Sequence, residues 1–224
     1  LYTIPYGNGR GYVPDDFTPW DKTDRLPTAA GRYILQNNVQ LSDSWIVPAG
    51  ETTLDLNGKI LTYNPSPSFG MASYSWAILI DKNSILTLID ETSGGIISGE
   101  NAPGISGMFV LGTLIMDGGK ISYFKQNAVA IVKGGRFTMN SGDISYNTAI
   151  DGAVIQNNGW FEMTGGNITN NEAKSSLFGF AVSYSSTIRN TGTFIMSGGK
   201  ISNNEASGNG GGSHIGQQTK GDNW

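Results

Sequence analysis

The chain contains no cysteine, so neither disulfides nor thiolate metal sites are open to it. Its single histidine, His214, has no second ligand at a usable spacing, and no metal site is expected. Charge is scarce: 14% of residues are Asp, Glu, Lys or Arg, and the formal net charge is −4. There is no run of Lys or Arg, which argues against nucleic acid, a partner that demands a concentrated basic surface. No apolar stretch approaches the roughly 20 residues that span a bilayer, so no membrane insertion is expected. The phosphate-loop pattern G-x-x-x-x-G-K-[ST] is missing, and no cofactor is expected. The chain opens on Leu1 without a signal-peptide core, and "QQTKGDNW" shows no stop in its pattern, so a processed or excised piece of something longer is expected.

What the chain does have is glycine, 32 of 224 residues, together with 38% hydrophobic residues. Many tight turns and few exposed helical faces give that balance, which points to an all-β fold. One phrase recurs: "GTLIMDGGKIS" from Gly112, "GRFTMNSGDIS" from Gly135, "GWFEMTGGNIT" from Gly159 and "GTFIMSGGKIS" from Gly192. The starts lie 23, 24 and 33 residues apart, so the last interval carries a loop of about nine extra residues. Looser copies, "TTLDLNGKIL" from Thr52 and "SILTLIDETSGGIISG" from Ser84, make six related units.

Within a unit the pattern alternates. Leu114 and Met116, Phe137 and Met139, Phe161 and Met163, and Phe194 and Met196 flank Ile115, Thr138, Glu162 and Ile195. Period two means a strand with one buried face. An isoleucine returns after the glycines (Ile121, Ile144, Ile168, Ile201) and reads as a second short strand; "AVAIV" at 128 and "GAVIQ" at 152 read as a third. Three short strands in about 23 residues are too few for a propeller blade, and the L-x-x-L-x-L frame of leucine-rich repeats is absent. They suit one coil of a parallel β-helix, in which equivalent positions stack about 4.8 Å apart. Phe or Leu, Met and Ile then form inward ladders, and the glycine pairs form corners. Asn147, Asn171 and Asn204 share a register and are expected to form an amide ladder. Lys120 shares a register with Asp143, and a surface ion pair worth about 0–1 kcal/mol is expected there.

The phrases "FTMNSGDISYNTA", "FEMTGGNITNNEA", "FIMSGGKISNNEA" and "WIVPAGETTLDLNGKIL" resemble the right-handed parallel β-helix repeats of bacterial cell-surface and adhesin-like proteins, in the pectin-lyase-like group. The resemblance covers about residues 31 to 215. The expected architecture is an all-β, right-handed, single-stranded parallel β-helix (a solenoid) of about six coils. An N-terminal cap, residues 1–30 with Phe17 and Trp20, would precede the helix over 31–215. A tail over 216–224 would begin a further coil. What the resemblance implies of location is the cell surface or the extracellular space.

Candidate chemistry lies where the phrase is broken. A lyase needs acids holding Ca²⁺ near a basic residue, and a glycosidase needs carboxylates about 5–10 Å apart. Asp117, Asp143 and Glu162 fall in three different registers and Asp151 stands alone at a turn, so no catalytic residue is assigned. The position after the unit glycine points outward and reads Thr113, Arg136, Trp160, Thr193. Trp160 beside Arg136, with Glu162 two residues on, could stack a sugar ring and hydrogen-bond its hydroxyls. Alternatively, Arg136 packs on Trp160 as a cation–π pair, or a loop covers the indole. Two insertions add aromatics: Phe69, Tyr74 and Trp76 in the first, and Phe178, Phe180 and Tyr184 in the second. The leading expectation is a non-catalytic structural or adhesion module of a bacterial surface or secreted protein, with a polysaccharide or host cell-surface glycan as partner. The alternative is a polysaccharide lyase or glycoside hydrolase acting on an acidic or plant or host polysaccharide.

Overall fold

The computed structural model describes residues 16–65, 76–101, 104–150, 152–174, 186–207 and 214–215, and these contain strands and turns but no helix. Every strand pairing among them is parallel, in curled sheets of 13, 7 and 3 strands. Neighbours in a sheet come from successive units, so the sequence repeat becomes the spatial order. In the largest sheet Thr113–Ser122 pairs with Arg136–Ser145, which pairs with Trp160–Met163, which pairs with Thr193–Met196.

The aligned phrases stack residue on residue. Leu86, Leu114, Phe137, Phe161 and Phe194 form one column, and Leu88, Met116, Met139, Met163 and Met196 the next. Phe137 and Phe161 lie 4.8 Å apart with 3° between their planes, and Phe161 stacks on Phe194 at 4.9 Å. Ile97, Ile121, Ile144, Ile168 and Ile201 make a third column. From Leu86 through Phe161 the members of these columns are buried. Such stacking fills an interior with side chains of one shape per layer and needs no helix to cover it.

Several details differ from expectation. In the units beginning at Gly112 and Gly135 the first two strands run on as single ten-residue strands with a bulge, and only the later units break them apart. A further short strand was not foreseen: Thr148–Ile150, Glu172–Lys174 and Glu205–Ser207 form the smallest sheet. Lys120 and Asp143 do stand in register, but they form no ion pair. The Lys120 ammonium instead lies 4.6 Å over the Tyr146 ring, and Asp143 accepts a 2.9 Å hydrogen bond from Asn167.

In the four aligned phrases the glycine two residues before the isoleucine has positive φ: 75° at Gly119, 88° at Gly142, 79° at Gly166 and 84° at Gly199. A Cβ on Gly166 would also lie 2.8 Å from the carbonyl oxygen of Gly142, so only glycine fits this corner. The corner after the isoleucine is left-handed as well, at Tyr123, Tyr146, Asn170 and Asn203. Directly after it comes the amide ladder. Asn147 Nδ2 donates to Asn171 Oδ1 and Asn171 Nδ2 to Asn204 Oδ1, both at 3.0 Å. Each amide also donates to the isoleucine carbonyl one unit back.

At the N-terminal side, Thr18–Trp20 pairs in parallel with residues 33–35. Phe17 and Leu26 are buried, and Trp20 packs edge-on against Tyr33 at 5.6 Å. These residues extend the largest sheet by one strand.

Candidate functional site

The outward column Thr113, Arg136, Trp160, Thr193 is assembled as the repeat predicts. The Arg136 guanidinium lies 4.8 Å from the Trp160 ring centroid, so this face of the indole is taken by a cation. The packed alternative is thus the arrangement adopted, and a sugar cannot stack on that face. Trp160 is half-buried, and its Nε1 is fully buried without a protein hydrogen-bond partner. Glu162 sits two residues further on, between Thr138 and Ile195 in register, and does not border the same depression.

That depression is an open cleft of about 370 Å³, lined by Lys133, Gly134, Gly135, Arg136, Asn158, Gly159 and Trp160. It is a product of turn length. Ile131 and Asn157 are in register, as are Arg136 and Trp160, yet the turn before Gly135 is two residues longer than the turn before Gly159. The long turn, with Lys133 and Gly134, therefore stands beside a short one. A Cβ on Gly159 would fall 2.4 Å from the carbonyl oxygen of Gly135, so the floor depends on a missing side chain.

Beneath the short turn lies a buried amide pair. Asn157 and Asn190 occupy the column that carries Val47, Ile80, Val110 and Ile131 in earlier units. Asn157 Nδ2 donates to Asn190 Oδ1 at 2.6 Å and to the Thr193 carbonyl at 2.8 Å, while its Oδ1 accepts from Gly159 N–H at 3.1 Å. The polar core residue thereby fixes the turn that carries Asn158 and Trp160. Neither Lys133 nor Asn158 was picked out from the sequence. The signal was there in the unequal lengths of the two turns once the units are aligned.

The other candidates are placed as follows. Trp76 is half-buried and stacked on Phe109 at 4.4 Å with 28° between the rings, packed on the neighbouring strand. Phe69, Tyr74, Phe178, Phe180, Tyr184 and Asp151 lie outside the described residues. Asp117 accepts from Asn140 Nδ2, and Asn140 Oδ1 in turn accepts from Thr164 Oγ1, both at 2.7 Å. A group of acids the sequence reading missed surrounds the turns "DLNG" and "DETSGG". There the two Asp90 oxygens accept from Gly58 N–H and Gly95 N–H, each at 2.7 Å. Asp55 is buried and accepts from Asn57 N–H. Burial pushes its carboxyl above the ordinary carboxylate value against the pull of that hydrogen bond, and the charges of Glu91 and Asp90 add to the rise. Aspartate followed by Asn-Gly or Ser-Gly is a turn signal, and these acids serve turns.

Comparison of the chain with protein families, curated proteins and solved structures finds no match.

Proposed function

We propose that the chain is a right-handed, single-stranded parallel β-helix of about six coils, of the pectin-lyase-like kind. In this reading it serves as a non-catalytic, rigid module of a bacterial surface or secreted protein, working outside the cell. Support for the architecture comes from the parallel register of successive units in all three sheets. One observation carries the non-catalytic reading: three of the outer acids, Asp117, Asp143 and Asp90, are spent on holding turns and neighbouring units. Asp117 is bonded to Asn140, Asp143 to Asn167, and Asp90 to the backbone of two turns. An acid so engaged holds neighbouring coils together and is poorly placed to move a proton.

The module's contact with a polysaccharide or cell-surface glycan is assigned to the cleft beside Trp160, where a polar rim meets an aromatic wall. Binding of wild type and of Trp160→Ala to a glycan array tests this. Wild-type binding that the substitution removes is the expected result; wild-type binding to no glycan sinks the glycan contact. Release of reducing or unsaturated sugar ends from any polysaccharide on incubation with the chain overturns the non-catalytic reading.

A further inference from the structure

Among the side chains that line the cleft beside Trp160 there are hydrogen-bond donors and no free acceptor. Lys133 and Arg136 are both exposed, and the ion pairs found among the described residues involve neither of them. Asn158 Oδ1 already accepts from Gln156 Nε2 at 2.8 Å and from Thr191 Oγ1 at 2.6 Å, which leaves the Nδ2 group of Asn158 as a further donor. The carbonyls of Gly135 and Gly159 accept from Trp160 N–H at 3.0 Å and Thr193 N–H at 2.8 Å. A small cavity with two cations and an amide N–H₂ at its rim calls for a ligand rich in acceptors and carrying negative charge.

We infer that the cleft binds an oxyanion, a carboxylate or sulfate group carried on a saccharide, with Lys133, Arg136 and Asn158 as its donors. The inference rests on the glycan reading above and specifies the class of glycan. The Arg136 guanidinium is placed 4.8 Å from the Trp160 ring centroid, and among the described residues its N–H groups have no hydrogen-bond or ion-pair partner, so they are free to donate to two oxygens of one anion. Lys133, on the longer turn, lines the same cleft and adds a second positive charge. Because the chain as a whole carries a net charge of −4, attraction of an anion is a property of this cleft and not of the surface at large.

Three polymers on one backbone provide the test: dextran, carboxymethyl-dextran and dextran sulfate, titrated against the full chain at low salt. The charged polymers are expected to bind about tenfold or more tighter than dextran, and the order of the two distinguishes carboxylate from sulfate. Asn158→Asp keeps both accepted hydrogen bonds and places a negative charge in the cleft, so it should weaken charged-polymer binding about tenfold or more. Lys133→Gln should weaken it by a smaller factor, and neither substitution should move the unfolding midpoint. Dextran binding as tightly as the charged polymers overturns the oxyanion and leaves the glycan reading standing. Charged-polymer binding unchanged by Asn158→Asp removes the site from this cleft and likewise overturns the inference. Binding of none of the three overturns the inference, and the glycan array alone decides the glycan reading.

Discussion

At the corner after the isoleucine, Asn147, Asn171 and Asn204 donate and accept along one column. At the turn before the unit glycine, Asn157 and Asn190 bond in the same manner, but only over two units, and Asn158 beside them keeps its N–H₂ unspent. The first region repeats with equal loop lengths, so each amide finds its copy one unit away. In the second the lengths differ, stacking is interrupted, and donors are left facing solvent. Regularity consumes polar groups, and irregularity frees them.

Removing an amide from the regular column gives the largest effect expected. Asn171 makes hydrogen bonds to Asn147, Asn204 and the Ile144 carbonyl from a buried position. Asn171→Ala strands several of those groups and should cost about 3 kcal/mol in urea-denaturation stability. A loss under about 1 kcal/mol would mean the ladder is incidental to the fold.

The short column behaves differently because aliphatic residues hold the same place in earlier units. Asn157→Val alone leaves Asn190 Oδ1 without its donor and should cost about 2 kcal/mol. Adding Asn190→Val should recover the part owed to Asn190 Oδ1, since the column would then continue as Val or Ile, while Gly159 N–H stays without its acceptor. Simple additivity of the two losses would show that the amides do not act as a pair.

A third substitution has the opposite sign. Tyr146 holds a φ of 57°, where the next unit uses Asn170 at 55°. Left-handed backbone costs an ordinary residue about 1–2 kcal/mol and asparagine less. Tyr146→Asn forfeits the contact with Lys120 and the stacking on Tyr123, 6.2 Å away on the exposed surface, and a net gain of about 0.5 kcal/mol is expected in the same assay.

The smallest effect depends on pH. Burial raises the Asp55 carboxyl above its ordinary value, so the folded chain takes up a proton there more readily than the unfolded chain. Its contribution is full below the unfolded carboxylate value and is lost as pH rises through the folded one. Asp55→Asn should therefore raise the melting temperature slightly at pH 7, with the difference shrinking as the pH is lowered toward about 3. A constant difference across that range would place the effect in packing.

The alternation of Phe161, Met163 and Ile168 with polar residues announced an inward face, and the register of Asn147, Asn171 and Asn204 announced their ladder. Both depend on equal spacing within the recurring phrase, whatever the length between phrases, and stacking turns equal places in the phrase into contact. The fourth strand at 148–150 escaped notice because "NTAI" and "NEAK" carry too few apolar residues to show a period. The acids at Asp55 and Asp90 escaped because what brings them together is the pairing of two loosely matched units.

By itself, then, the sequence determined the apolar strands, their inward-facing columns up to Phe161, Met163 and Ile168, and the order in which units stack, since these follow from periodicity and local conformational preference. Only the tertiary structure decided which polar groups remain unspent. Lys120 turned to Tyr146 instead of Asp143, Arg136 packed over Trp160, and Lys133 and Asn158 came to line one cleft between unequal turns. Such choices are made among neighbours within a few ångströms in space. A column of aligned letters names those neighbours but not the directions in which their side chains turn.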